Sequence, residues 1–180
     1  MQIQTTFPLV EEILSPWETR MADDYTGYHN HVYRMLNCCL ALYPQYSDED
    51  MQKLQIAASF HDLGVWSDDT VDYLPPSVAM AREYLDANDK ASWVEEISLM
   101  IDLHHKVRSV QEPRYPLVEI FRQGDLIDFS LGMVRFGLPA SLIRDIKTTF
   151  PNAGFHKTLT RLGLRWFSSH PLSLPPFLKW

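Results

Sequence analysis

Apolar residues recur along most of the chain at the three- and four-residue spacing of amphipathic helices, and no stretch shows a strong strand-like alternation. A long helix is predicted over 27–43, with Val32 and Leu36 on its apolar side. Ser47 and the three acidic residues after it predict the start of the next helix. A serine can cap free backbone N–H groups, and carboxylates are stabilised at that end of a helix. We expect Gly64 to end this helix.

The same spacing predicts further helices over 8–14, 75–88, 91–106, 117–131, 139–149 and 155–168. The last ten residues contain three prolines and no periodicity, so we expect an extended tail lying on the body, with Phe177 and Trp180 as anchors. No repeat, low-complexity tract or linker divides the chain. The prediction is therefore an all-α fold: a single helical-bundle domain over 1–170 and a Pro-rich tail over 171–180 packed on it.

Composition and charge narrow the class of protein. The chain has 180 residues, of which 46% are hydrophobic, and a formal net charge of -7, which gives no basic surface for a nucleic-acid polymer or an anionic membrane. We see no secretion signal and no uncharged stretch long enough to span a bilayer. Two adjacent cysteines, Cys38 and Cys39, support neither a disulfide framework nor a zinc ribbon. We expect a cytoplasmic protein that binds neither nucleic-acid polymer nor membrane, and a homodimer stays open.

Polar side chains that could bind a metal ion lie at or beside the apolar stripes of four predicted helices. They are His31, His61, the pair His104 and His105, and Asp125. Burying so many polar groups costs free energy unless they are paired or bind a metal ion. Imidazole and carboxylate ligands that converge between helices suit one divalent transition metal such as Mn, Fe, Co, Ni or Zn.

The order of these segments resembles the HD-domain superfamily of metal-dependent phosphohydrolases. The matching segments are His31-Val32-Tyr33-Arg34-Met35, Ala57-Ala58-Ser59-Phe60-His61-Asp62-Leu63-Gly64, Ile101-Asp102-Leu103-His104-His105 and Gln123-Gly124-Asp125. They are close to the family patterns H-x-x-R-V, A-A-x-x-H-D-I-G, a histidine pair and A-D. The motif span, 31–128, covers a little over half of the chain.

The resemblance implies an HD-type helical fold and a set of metal ligands. By this resemblance His31, His61, Asp62 and Asp125 would hold one metal ion. The histidine pair corresponds to positions that serve a second metal ion in a binuclear branch, which includes cyclic-dinucleotide phosphodiesterases.

The sequence differs from the pattern of the binuclear branch on both sides of the histidine pair. Lys106 stands where a glutamate is expected, no G-Y-P triplet follows, and no histidine occurs over 63–103. We therefore expect one metal ion, with a second not favoured, and we do not expect cleavage of cyclic dinucleotides.

The function predicted in this way is hydrolysis of a phosphate mono- or diester in a small phosphorylated metabolite or nucleotide by a metal-activated water. Asp62 would bind the metal and accept a hydrogen bond from that water. His104 or His105 would bind phosphate or the water, or protonate the leaving oxygen. The expected substrate-binding cations are Arg34, Lys106 and Arg108.

Other functions and other residue roles stay open. The resemblance also covers HD-type iron oxygenases, a nitrile-hydrating metal-dependent hydratase, and non-catalytic modules that sense nucleotides or bind partners. His29 is a rival to His31, and Asp125 could simply pair with Arg122. Asp128 is either a supporting residue or solvated. The histidine pair could also be a surface pair at a helix end.

Overall fold

A computed structural model describes residues 2–178, and the described residues are helical with no β-strand. Trp180, predicted as an anchor of the tail, lies outside them. The helices are α1 (Pro8–Leu14), α2 (Glu18–Met21), α3 (Tyr25–Leu42), α4 (Asp48–Phe60), α5 (Gly64–Ser67), α6 (Leu74–Ala87), α7 (Val94–Leu103), α8 (Leu117–Phe129), α9 (Ala140–Thr149) and α10 (Phe155–Ser169). Short 3-10 turns at Ser15–Trp17, Ala22–Asp24 and Ala91–Trp93 connect some of them. The prediction of an all-α fold is confirmed.

The start of α4 follows the predicted capping chemistry. The Ser47 side chain accepts a hydrogen bond from the Asp50 backbone N–H, and the Asp50 carboxylate accepts one from the Ser47 backbone N–H. This capping box satisfies two backbone donors that a helix end otherwise leaves free.

The prediction that Gly64 ends α4 is wrong, because α4 ends at Phe60 and Gly64 begins the short helix α5. The glycine instead allows the backbone at Tyr73 to come close to α5, because a Cβ atom at Gly64 would lie 2.2 Å from the carbonyl oxygen of Tyr73. His61 and Asp62 consequently occupy the turn between α4 and α5. The predicted helix over 91–106 is also shorter, since α7 ends at Leu103 and the histidine pair lies in the turn after it.

Helices α3 and α8 pack closely and form the centre of the bundle. Gly124 on α8 permits this approach, because a Cβ atom there would lie 2.3 Å from the Cys39 sulfur on α3. Val32 and Phe121 are buried in the main apolar core between these helices and their neighbours. This packing brings His31 on α3 close to Asp125 on α8.

The tail is partly as predicted. Residues 170–173 and 175–178 close turns through backbone hydrogen bonds, so the segment is not fully extended. Phe177 is half-buried against Tyr73 and His105, which agrees with its expected role as an anchor. Within residues 2–178, no helix is sufficiently long and apolar to cross a lipid bilayer.

Candidate metal centre

Side chains from several separate helices and turns meet in one buried cluster. Its candidate ligands are His31 on α3, His61 and Asp62 between α4 and α5, His104 and His105 after α7, and Asp125 on α8. All are buried apart from His105, whose side chain is 12% exposed. We call this set the His/Asp cluster.

The tightest part of the His/Asp cluster joins three segments of the chain. The Nε2 atoms of His31 and His61 are 3.1 Å apart. Asp125 Oδ1 lies 3.4 Å from His31 Nε2 and 4.0 Å from His61 Nε2. Asp62 Oδ2 lies 3.3 Å from His61 Nε2. Two ligand atoms bound at about 2.1 Å to a tetrahedral ion are about 3.4 Å apart, so these separations fit a shared metal ion.

Hydrogen bonds fix the tautomers of three histidines in the form that binds metal. His61 Nδ1 lies 2.7 Å from the Ala58 carbonyl oxygen, and His104 Nδ1 lies 2.7 Å from the Ile101 carbonyl oxygen. His31 Nδ1 lies 2.7 Å from the Asp128 carboxylate. Since each acceptor requires a proton on Nδ1, the Nε2 atoms of the neutral rings present lone pairs to the cluster.

Two buried polar atoms of the cluster have no hydrogen-bond partner: Asp62 Oδ1 and His104 Nε2, which face each other at 3.4 Å. An unsatisfied buried group costs about 1–3 kcal/mol. The facing lone pairs of His31 and His61 add a repulsion that only a proton or a cation between them removes. The residues present therefore fit a bound cation.

The charges of the cluster lead to the same conclusion. Asp62, Asp125 and Asp128 are buried carboxylates, while Arg34 is the buried cation paired with one of them. Buried charges are stable only when they are compensated, so two further positive charges are needed there. A divalent ion, or protonated histidines in its place, supplies them.

The pKa values reflect these opposed effects. Burial disfavours the charged imidazole of His31, but hydrogen bonds and charges from Asp125 and Asp128 raise its pKa to about 9. Burial alone would raise the pKa of Asp62, yet His61 and His104 hold it well below its usual range. Burial and the charge of His104 lower the pKa of His105 to about 3. The carboxylate of Asp62 is thus ionised at neutral pH and can bind a cation.

The candidate ligands fall into overlapping groups rather than one. His31, His61 and Asp125 form one group, His61, Asp62 and His104 a second, and His104, His105 and Asp125 a third, each with ligand atoms within 4.8 Å of one another. Asp62 and Asp125 link these groups, because the two oxygens of each carboxylate face different histidines. The oxygens of Asp62 face His61 and His104, and those of Asp125 face His61 and His105. These buried groups could hold a metal ion; that it is a single ion stays a prediction.

The expectation that Arg34 contacts substrate phosphate finds no support in the geometry. Arg34 is 2% exposed, and its Nη2 donates to Asp128 Oδ2 over 2.8 Å. Its Nε also donates to Asp128, and its Nη1 donates to the carbonyl oxygens of Phe150 and Pro151. Every nitrogen of the guanidinium thus donates a hydrogen bond within the protein. Arg34 therefore supports the cluster by holding Asp128, the partner of His31.

Within residues 2–178, the side chains of the other expected cations, Lys106 and Arg108, make no hydrogen bond or ion pair with the His/Asp cluster. Lys106 follows the histidine pair and is half-buried, and Arg108 is exposed. Their roles in binding substrate stay predictions.

The geometry decides between several alternatives that the sequence left open. His29 turns away and bonds Glu11 over 2.8 Å, whereas His31 joins the cluster. Arg122 pairs with Glu119 and not with Asp125. The histidine pair is not a surface pair, since His104 is 2% exposed.

Of the two roles left open for Asp128, the structure shows the supporting one, because Asp128 is buried and pairs with His31 Nδ1. Two other contributors were not recognised from the sequence. The Tyr28 hydroxyl accepts from the Asp62 backbone N–H over 3.3 Å and lies one turn before His31 on α3. The Phe155 ring stacks on His31 at 4.0 Å, a contact without any local signal.

A separate groove of about 970 Å³ lies between α6 and α7, lined by residues such as Val78, Arg82 and Leu99. It does not include the candidate ligands. The chemistry of the buried cluster, not the size of this groove, identifies the candidate site.

Comparisons with known proteins add no assignment. No family model matches the chain, no curated protein matches its sequence, and no solved structure matches its fold.

Proposed function

We propose that this protein is a metal-dependent phosphohydrolase of the HD-domain type, acting on a small phosphorylated metabolite or nucleotide. The observation that carries the proposal is the convergence of His31, His61, Asp62 and Asp125 in one buried cluster, whose carboxylates outnumber the buried arginine beside them. The resemblance in sequence supports the reaction class, and the cluster supports a need for metal.

His31, His61, Asp62 and Asp125 would hold the ion, because their free ligand atoms face one another. When bound, a divalent transition ion supplies Lewis acidity, which lowers the pKa of water and stabilises negative charge on a phosphoryl group. Asp62 has a second oxygen without a hydrogen-bond partner, and this oxygen would accept a hydrogen bond from the attacking water.

The histidine pair and the cations after it act on the substrate. His105 is the most exposed candidate ligand, so the phosphoryl group approaches the cluster from its side. Lys106 and Arg108 would offset the repulsion between substrate phosphate and the buried carboxylates, since cations near a phosphate stabilise its negative charge. A metal ion, a water and local cations together are sufficient for hydrolysis of a phosphate ester by a metal-activated water.

Metal analysis followed by a screen of phosphorylated metabolites tests the proposal. We expect the purified protein to contain about one divalent transition ion per chain and to release phosphate from a small ester. Asp62→Ala should lose both the ion and turnover, because it removes a charged ligand. Asp86→Ala, which changes an exposed carboxylate on α6, is the matched control and should retain both.

Stoichiometric metal and unchanged turnover in Asp62→Ala would refute the role of Asp62. Iron in the protein together with oxygen consumption would assign it to the oxygenases instead. A protein that binds no metal would favour a non-catalytic module.

A further inference from the structure

Tyr73 makes the shortest polar contact of the histidine pair. Its hydroxyl oxygen lies 2.6 Å from His105 Nε2. On the opposite side of the same ring, His105 Nδ1 lies 3.9 Å from Asp125 Oδ2. One imidazole therefore connects a buried tyrosine to a carboxylate of the His/Asp cluster.

The backbone holds Tyr73 in this place without help from its hydroxyl. Its carbonyl oxygen accepts from the Ser77 backbone N–H over 3.0 Å, and the Ser77 hydroxyl accepts from the Gly64 backbone N–H over 2.9 Å. Gly64 has no side chain to separate the two segments. The ring of Tyr73 also lies 5.4 Å from the ring of Phe177. The Tyr73 hydroxyl is therefore available for a hydrogen bond with His105.

Two tautomers of His105 compete in this geometry. In the first, the Tyr73 hydroxyl donates to Nε2, and the Nδ1–H of His105 points to Asp125. In the second, Nε2–H donates to the tyrosine oxygen, the hydroxyl proton turns away from His105, and Nδ1 has a free lone pair. A separation of 2.6 Å suits a hydroxyl donor, because N–H donors lie about 2.9 Å from oxygen. The Asp125 oxygen, 3.9 Å from Nδ1, is too far away for a direct hydrogen bond, so the Tyr73 hydroxyl is the group that sets the tautomer.

We propose that Tyr73 is a positioning residue that fixes the tautomer of His105, so that Nδ1–H faces the cluster and His105 donates a hydrogen bond there instead of binding a metal ion. A protonated ring nitrogen cannot be a ligand. The inference rests on the proposed function only for the use of that hydrogen bond, which is to hold a phosphoryl oxygen or the attacking water. It also gives a physical reason for one ion at the cluster.

NMR spectra of 15N-histidine protein loaded with Zn²⁺ test the proposal directly, with His105→Gln used to assign the signals. We expect the His105 proton on Nδ1. In Tyr73→Phe, which removes only the hydroxyl, the proton should move to Nε2, the position that free imidazole side chains prefer. Tyr84→Phe is the matched control, since it removes a hydroxyl bonded to Glu12 on another surface and should leave the His105 signals unchanged.

Activity provides a second measurement. Tyr73→Phe should lower kcat by about 100-fold with little change in KM, because the His105 Nδ1–H would no longer be directed at the phosphoryl oxygen or the attacking water. The unaltered protein should bind one Zn²⁺ per chain.

Several results would overturn the proposal. They are a proton on Nε2 in the unaltered protein, an unchanged Nδ1 proton in Tyr73→Phe, or an unchanged kcat despite a change of tautomer. The unaltered protein alone gives the first result, so the test does not depend on the folding of the variant. If the tautomer behaves as expected and no ester is hydrolysed, the proposed function fails and the positioning role stands.

Discussion

Replacing Asp128 by asparagine should separate the structural and the metal-binding roles of the groups behind the cluster. Asp128 accepts from His31 Nδ1 over 2.7 Å and from Arg34 Nη2 over 2.8 Å. Asparagine keeps the shape of the side chain, but it removes the charge and turns one acceptor into a donor. In Asp128→Asn the guanidinium of Arg34 is left buried without its counter-ion.

The loss of stability in Asp128→Asn follows from the burial of this ion pair. Breaking a buried ion pair on one side costs about 3–5 kcal/mol of unfolding free energy. For a chain of this size each kcal/mol lowers Tm by about 2–4 °C, so the melting temperature of Asp128→Asn should fall by about 6–20 °C. His31 loses the acceptor that orients its ring, and metal affinity should weaken by about 10–100-fold.

Thermal unfolding in the presence of a chelator measures the structural effect without the contribution of bound metal. Asp69→Asn is the matched control, because Asp69 pairs with Arg165 on the surface, where solvent screens the pair. The control should leave Tm nearly unchanged.

A double variant, Arg34→Met with Asp128→Asn, isolates the cause. It removes both buried charges, so it should be more stable than Asp128→Asn alone. Its metal affinity should remain weak, since the His31 Nδ1–H still lacks a carboxylate. Equal melting temperatures of Asp128→Asn and Asp69→Asn would contradict this role of Asp128, as would a double variant that is as unstable as the single one.

Three other outcomes are expected. Gly124→Ala should destabilise the protein by about 1–3 kcal/mol in chemical unfolding, because its Cβ would lie 2.3 Å from the Cys39 sulfur; Gly163→Ala, with nothing near its Cβ, should be neutral or slightly stabilising. A chelator should lower Tm of the metal-loaded protein, and re-addition of the ion at about 100 times its Kd should restore about 2.7 kcal/mol; an unaffected Tm would argue against a buried ion. Phe177→Ala should speed the removal of metal by a chelator, since the Phe177 ring lies 5.1 Å from His105, whereas exposed Leu172→Ala should leave that rate unchanged; equal rates in the two variants would show that the tail does not cover the site.

Much of the helical organisation could be predicted from local patterns. The spacing of apolar residues predicts where α3, α4 and α8 lie, and a polar residue at the end of an apolar stripe must face other helices. This relation places His31, His61 and Asp125 on faces that point into the fold. Their meeting at one point also depends on how the helices are arranged, which periodicity alone does not give.

The role of Arg34 could not be predicted in the same way. Arg34 lies one turn after His31, so both side chains leave α3 on the same side. Whether its charge meets solvent, a phosphate or a carboxylate depends on Asp128, which is 94 positions away in sequence. Local spacing gives the direction of a side chain but not the group that it meets.

The same limit explains the wrong prediction at Gly64. A glycine after an amphipathic pattern usually ends a helix, and the sequence shows nothing else. In the structure the glycine is needed because the carbonyl oxygen of Tyr73 lies where its side chain would be. That approach brings the Tyr73 hydroxyl to His105, so a residue that resembles a helix terminator is part of the support of the candidate site.

The burial of the cluster connects stability to the proposed chemistry. Three buried carboxylates with one buried arginine leave an excess of negative charge that apolar packing cannot offset. The charge must be met by an ion or by protons on His31 and His104, whose pKa values are both raised although burial opposes this. A metal ion competes with those protons for the same Nε2 atoms, so metal binding should release protons and become weaker as the pH falls. Proton release on titration with Zn²⁺, measured in lightly buffered solution, checks this coupling; binding without proton release would place the ion away from these histidines.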